Sequence, residues 1–263
     1  MFHQTRLGRE TRGNRVIWKD NFSTQADSYA KYRPHYPVAL YDFLRQQVKY
    51  QNAAWDCGTG NGQVATELAK FFKQVWATDA SHAQLIHAPN LPNVNYSVAL
   101  AENSGLATQS IDLITVAQAV HWFDFDSFYR EVHRVARQEA IIALWGYGLL
   151  KISNSLDEII GDFYYHVVDQ YWDAERKHLD HAYQTISFPF KIVPAPTFTM
   201  SVEWNLADLL GYLATWSSVQ KMLKIHQVDP VAVLAPTLAN VWGDPTLQRQ
   251  VVWDIYLKVG EVN

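Results

Sequence analysis

The run Asp56-Cys57-Gly58-Thr59-Gly60-Asn61-Gly62 is where residue type and spacing most directly predict chemistry. Glycines at alternate positions allow backbone conformations closed to other residues and let the main chain approach a ligand closely. The helix expected to follow would offer free N–H groups to a carboxylate or phosphate. Asp79 follows at the spacing of about 20 residues at which a carboxylate reaches ribose hydroxyls. Together these residues predict a site for an adenosine-bearing molecule.

Such a loop is ambiguous on its own. Gly60-Asn61-Gly62-Gln63-Val64-Ala65 also satisfies the dinucleotide pattern G-x-G-x-x-G/A, so NAD and S-adenosylmethionine stand about level. Two carboxylates separate them. Asp56 stands at the expected strand tip, where it suits a cationic sulfonium with its ammonium group and would repel a pyrophosphate. Its plainer reading is a helix-capping or loop-bracing aspartate. Ala101-Glu102 follows the third expected strand, where an acidic side chain can accept from an adenine amino group. Taken alone, Glu102 reads as a solvated loop residue.

The elements that would position these groups alternate along the chain. Apolar runs predict strands at Ala53–Cys57, Val75–Ala80, Val94–Leu100, Ile111–Ala117 and Ala140–Trp145. Helical periodicity falls between them at Gly62–Phe72, His82–His87 and Phe125–Ala136. That order predicts an α/β, doubly wound parallel sheet with helices on both faces. Upstream, Phe22–Gln47 is broken by the prolines of Arg33-Pro34-His35-Tyr36-Pro37. Downstream come an α-rich stretch Asn154–Tyr183, a strand Phe198–Trp204, a helix Leu206–Ile225 and a final strand Val251–Val259. Residues 1–20 are expected to form an N-terminal arm. Residues 21–263 are expected to form a single domain, with 150–192 as a helical cap over the C-terminal edge of the sheet.

Composition narrows the partners. The chain has 263 residues, ample for one buried core, and a net charge of −4, without the basic footprint of a nucleic-acid binder. No run approaches the roughly 18 apolar residues needed to span a membrane. The polar start carries Arg6, Arg9, Arg12 and Arg15 with no apolar stretch behind them, which reads as an arm, not a secretory signal. The single cysteine, Cys57, excludes an internal disulfide framework or a cysteine zinc cluster. A cytoplasmic location is expected, and no metal. The 10 Trp, 14 Tyr and 12 Phe exceed what a core needs and predict an aromatic-walled ligand pocket.

Trp55–Gly62, Ala77–Ala80, Ala101–Glu102 and Ile111–Phe123 resemble the class I S-adenosylmethionine-dependent methyltransferases, roughly from Phe22 to Tyr147 and more loosely beyond. The resemblance implies a Rossmann-like sheet of seven strands, the last antiparallel. It implies that Asp56, Gly58 and Gly60 hold the methionine portion of the cofactor, Asp79 the ribose, Ala80 the adenine face, and Ala101 and Glu102 the adenine edge. Gln118 would lie near the transferring methyl group. Tyr29 and Arg33 would fold over the cofactor, Arg33 pairing with the methionine carboxylate. A narrower likeness lies in Tyr29–Pro37, Ala117–Phe123 and Thr215-Trp216-Ser217. These are similar to the trans-aconitate methyltransferase-like proteins of the methyltransferase type 11 group, implying a small, carboxylic-acid substrate.

The expected function is methyl transfer from S-adenosylmethionine to a carboxylate or hydroxyl of a small molecule. A carboxylate nucleophile needs no base at neutral pH, whereas a hydroxyl would benefit from one, and His121 titrates in the right range. The alternative for His121 is a wall residue, with Trp122, Tyr147 and Trp216 lining the substrate pocket. Nucleic acid is not expected as substrate: no Asn/Asp-Pro-Pro-Tyr/Phe motif follows the fourth strand, and Cys57 sits in the cofactor loop. No membrane partner is expected, and the oligomeric state is open. The rival functions are an NAD-dependent dehydrogenase and a methyltransferase-fold protein without catalysis.

Overall fold

A computed structural model of the protein describes residue 32 and residues 34–262. Residues 1–31, with Tyr29, lie outside the described residues, and so does Arg33. Helix α1 (Val38–Gln47) enters the sheet at β1 (Ala53–Cys57), followed by α2 (Gln63–Leu68), β2 (Gln74–Asp79), α3 (His82–Leu85) and β3 (Val94–Val98). Strand β4 (Ile111–Ala117) leads through a 3-10 turn at Val120–Trp122 to α4 (Phe125–Val135) and β5 (Ala136–Tyr147).

Every residue of β1 is buried, as expected of a parallel strand covered on both faces. Alternate residues serve two cores. Ala54, Val75, Leu113 and Ala143 face the cluster completed by Leu40, Leu44, Val64 and Leu68 of α1 and α2. Trp55, Ile114, Val116 and Ile142 face the one completed by Phe128, Val132 and Val135 of α4. At the opposite edge from the glycine loop, buried Asp112 accepts from the backbone N–H groups of Asn52 and Ala53 and pairs with Arg137, closing the bulge in β4.

The second half is helical, then antiparallel. After α5 (Asn154–Asp162) come a π-helical turn (Phe163–Val167), two 3-10 turns (Asp169–Tyr171 and Ala174–Arg176) and α6 (Lys177–Asp180). The short strand β6 (Lys191–Ile192) precedes β7 (Phe198–Trp204), α7 (Leu206–Ala214), α8 (Ser217–His226), α9 (Pro230–Trp242) and β8 (Arg249–Val262). The sheet order is β3-β2-β1-β4-β5-β8-β6, with β7 also paired to β8. The pairs β1–β2, β1–β4, β2–β3 and β4–β5 are parallel, and β8 is antiparallel to β5. The doubly wound α/β fold with its last strand antiparallel is therefore as the sequence predicts, with β6 as an additional two-residue strand.

Three elements differ from expectation. The single helix expected over Leu206–Ile225 is two helices, because Trp216 is extended (φ −65°, ψ 133°) and Thr215 turns its hydroxyl back onto the carbonyl of Tyr212. The break seats the Trp216 ring among Phe163, Tyr164, Trp172 and Tyr212, at centroid distances of 5.5–6.2 Å. Helix α9 was not anticipated. It starts as Asp229-Pro230, with the aspartate accepting from the N–H of Val231 and the proline in the first turn, and it runs through Pro236. The stretch Asn154–Tyr183 is α-rich as expected but not continuous: α5 and its π-helical turn give way to 3-10 turns and the short α6, and it ends in two consecutive left-handed residues, Ala182 and Tyr183.

A candidate methyltransferase site at the strand ends

The glycine loop leaves β1 and is tied at once to its neighbour, since Gly58 and Thr59 donate N–H bonds to the carbonyl of Thr78 in β2 at 2.8 and 3.0 Å. Gly58, Gly60 and Gly62 all have positive φ, at 68°, 58° and 82°. Their surroundings differ. A Cβ on Gly58 would meet the Cβ of Ala119 at 2.5 Å, and one on Gly62 the Tyr96 hydroxyl at 2.6 Å. On Gly60 it would meet only Gln84 Oε1, at 3.8 Å, so Gly60 keeps an open face for a ligand.

Asp79 closes β2 and is half-buried beside that face. Its Oδ2 accepts from the N–H of Gly60 at 2.8 Å and its Oδ1 from the N–H of Ser81 at 2.8 Å, which fixes the carboxylate. Ala80 follows it, half-buried. Asp56 lies beneath the loop, 1 % exposed, with its oxygens taken by the hydroxyls of Thr59 (2.5 Å) and Thr115 (2.9 Å). Burial pushes its carboxyl up to about 6, against the lowering effect of those hydroxyls. This arrangement makes Asp56 a brace of the loop, with its carboxylate turned from solvent. Ala101 is buried, and Glu102 accepts from the N–H of Asp124 at 2.9 Å, joining the loop after β3 to the start of α4. Buried Glu131 of α4 holds the same loop through Ser104.

Gln118 follows β4 in a left-handed conformation, φ 56°, uncommon for a residue with a side chain. Its N–H reaches the carbonyl of Trp145 and its side-chain amide that of Tyr147. The turn that follows carries His121 and Trp122 to one cavity with Gln118, Tyr147 and Trp216. The structure thus brings together all four residues expected in the substrate pocket, and Gln118 with them. Since Ala119 packs against Gly58, the loop after β4 touches both the cavity and the glycine loop.

His121 is 5 % exposed, with Nδ1 lying 3.1 Å from the Tyr183 hydroxyl. Burial, then Arg176 and His178, lowers its pKa to about 3. The ring is therefore neutral at physiological pH and a weak base. Tyr183 and Arg176, with Trp172, Asp173 and Tyr212, were missed as neighbours of this cavity. The cavity's neighbours from residues 172–183 sit on short turns with no periodic signal, and Gly146 of β5 is the one hint that something packs close there. A Cβ at Gly146 would meet Leu179 at 2.6 Å and the Tyr183 ring at 2.9 Å. Among the described residues no group of three or more His, Cys, Asp or Glu is arranged to hold a metal, and no helix is long and apolar enough to cross a membrane.

Residues 55–144 match the family model of a methyltransferase domain. A Dictyostelium discoideum protein named as a methyltransferase is 34 % identical over 227 residues, covering 85 % of this chain and 86 % of its own. The chain belongs to the class I S-adenosylmethionine-dependent methyltransferases. A solved structure from Anaeromyxobacter dehalogenans, described as a type II methyltransferase, is 39 % identical. It covers 88 % of this chain and 98 % of that one at a TM-score of 0.81. A Saccharomyces cerevisiae protein named as an S-adenosylmethionine-dependent methyltransferase is 26 % identical over 48 % of this chain and 47 % of its own. Membership of this family selects S-adenosylmethionine over NAD, and the open face at Gly60 beside the fixed Asp79 carboxylate fits that cofactor.

Proposed function

We propose that this methyltransferase acts on a small molecule seated in the aromatic cavity, with a carboxylate oxygen as the favoured nucleophile and a hydroxyl as the second choice. The observation that carries the proposal is convergence. Gln118, His121, Trp122, Tyr147 and Trp216 come from three separate stretches of chain and line one cavity. Ala119 of the same loop packs on Gly58, so acceptor and cofactor sites share a wall.

On this reading Asp79 holds the ribose, Ala80 lies against the adenine, and Ala101 and Glu102 flank its edge. Gly58 and Gly60 admit the methionine portion, while Asp56 acts through the loop it braces. Bound S-adenosylmethionine supplies a methyl carbon already activated by a positive sulfur. The protein's share is alignment and exclusion of water. Gln118, fixed by its bonds to β5, sets the inner end of the cavity, and Trp122, Tyr147 and Trp216 form its walls.

The preference for a carboxylate rests on His121. A hydroxyl acceptor needs a base poised near neutrality, and an imidazole with a pKa of about 3 removes few protons. An acceptor already ionised needs none. The narrower likeness of Tyr29–Pro37 and Ala117–Phe123 to the trans-aconitate methyltransferase-like group points to the same class of acceptor. A chain with one cysteine suits a reducing compartment, and we assign it to the cytoplasm. The test is calorimetry with S-adenosylhomocysteine and NAD in turn. Binding of the first alone supports the reading, and binding of NAD in its place overturns it.

A further inference from the structure

Arg176 stands on the cavity wall with no acidic partner among the described residues. Its guanidinium stacks 4.0 Å from the centre of the Trp172 ring, and its Nε donates to the Tyr164 hydroxyl at 2.8 Å. Tyr164 in turn donates to Asp180 at 2.6 Å. The side chain is therefore held by one edge and one face, and the hydrogen bonds of its terminal nitrogens are not spent on that support. Among the described residues Asp173 is the one acidic residue lining the cavity, and Lys221 binds its carboxylate.

The neighbouring histidine adds a donor. Tyr183 is buried, and its hydroxyl has His121 Nδ1 as its hydrogen-bond partner. A buried phenol that accepted from Nδ1–H would leave its own O–H without an acceptor, which is costly. Tyr183 therefore donates to Nδ1, and the imidazole proton sits on Nε2. The turn Val120–Trp122 packs against the turn Ala174–Arg176, so the two donors are neighbours. A guanidinium and a neutral N–H, with the neighbouring Asp173 carboxylate already bound by Lys221, make a site for an anion.

We propose that Arg176, with His121 Nε2–H beside it, anchors an anionic group of the acceptor that is not the group methylated. This rests on the cavity being the acceptor site. A carboxylate paired with a guanidinium in a dry cavity has its charge drawn off and attacks poorly. The anchored group and the attacking oxygen are therefore different parts of one molecule, with the attacking end at Gln118. The acceptor class is then a bifunctional acid: one end is fixed by charge, and the other is presented for transfer.

The test uses the full chain loaded with S-adenosylhomocysteine and titrated with phthalate and glutarate, their monomethyl esters and their dimethyl esters. Each monoester keeps one anion and mimics a product, so it should bind within a few-fold of its diacid. The dimethyl esters should bind at least tenfold more weakly. In Arg176→Met the diacids and monoesters should fall to the level of the diesters, while Arg176→Lys, which keeps the charge, retains part of the affinity. Thermal melts of both variants report folding, and their affinity for S-adenosylhomocysteine should equal that of wild type. The proposal is overturned if no acid in the panel binds, if the diesters bind as well as the diacids, or if Arg176→Met binds the acids unchanged. A loss of S-adenosylhomocysteine affinity in Arg176→Met would also overturn it, by moving Arg176 to the cofactor. Failure of the wild type to bind S-adenosylhomocysteine would instead strike the underlying assignment of the site.

Discussion

The Tyr183 hydroxyl lies 3.1 Å from His121 Nδ1, across 62 residues of sequence. The contact joins the turn after β4 to the helical stretch over it and keeps the imidazole buried and neutral. On the proposed reading, a residue whose type suggests a base serves in this setting as a fixed, uncharged wall donor.

That state sets the pH behaviour. The native ring takes up no proton between its ordinary pKa near 6.5 and about 3, whereas the unfolded chain does. Stability should fall as pH drops below 6.5, by about 1.4 kcal/mol per unit from this one group. Asp56, held near 6, has the opposite sign: its native state binds the proton more tightly, so its contribution is lost as pH rises from about 4 through 6. Chemical denaturation of wild type and His121→Gln across pH 7 to 5 checks the first term, and the variant should lose less stability on acidification. An imidazole NMR resonance for His121 titrating between pH 6 and 7 would contradict the account.

Asp79→Ala removes the carboxylate that fixes the N–H groups of Gly60 and Ser81. Charge-assisted bonds of this kind contribute about 1.5–3 kcal/mol each, part of which water recovers at a half-buried site. The dissociation constant for S-adenosylhomocysteine should rise at least tenfold in calorimetry, in a protein that still melts cooperatively. Unchanged affinity in a folded variant would remove Asp79 from the ribose site.

Gly58→Ala tests the wall between the two sites. Its Cβ would sit 2.5 Å from that of Ala119, at a φ of 68°. The left-handed backbone costs roughly 1–2 kcal/mol and the clash a further 1–3. Melting temperature and cofactor affinity should both fall. Adding Ala119→Gly relieves the clash alone, so the double variant should regain only part of the loss. Full recovery would mean that the backbone conformation carries no cost.

Trp216 sits at the break between α7 and α8 in a nest of four aromatic rings. Truncation of such a side chain costs about 3–5 kcal/mol, so Trp216→Ala should melt well below wild type. Trp216→Phe keeps much of the packing and should retain S-adenosylhomocysteine affinity while raising the KM for the acceptor. A change in cofactor affinity without a change in KM would place Trp216 on the wrong side of the site.

The core of the fold is legible because its signals are local. Strands β1 and β4 are mostly apolar runs, interrupted by Asp56 in the first and by Asp112 and Thr115 in the second, and the glycines announce the turn after β1. The loop-bracing position of Asp56 depends on Thr115, which pairing in the sheet brings across from it, so spacing along the chain does not reveal it. The break at Trp216 falls between two stretches of good helical pattern and is imposed by tertiary burial of one ring. Helix α9 carried a readable start in Asp229-Pro230, overshadowed by Pro236 inside it. Arg176, Tyr183 and Trp172 reach the site on turns without periodicity, which is why Trp122, Tyr147 and Trp216 are legible in the sequence and the neighbours from residues 172–183 are not.

The central claim is transfer of a methyl group to a small molecule, and the most direct measurement supplies it with a labelled methyl. Trideuteromethyl S-adenosylmethionine, the purified protein and a fraction of small carboxylic acids and alcohols are incubated together and resolved by mass spectrometry. The account predicts a deuterated methyl ester in the low-mass fraction that disappears when Asp79→Ala replaces wild type. Label found only in nucleic acid or protein, or no label at all from a protein that binds S-adenosylhomocysteine, would contradict it.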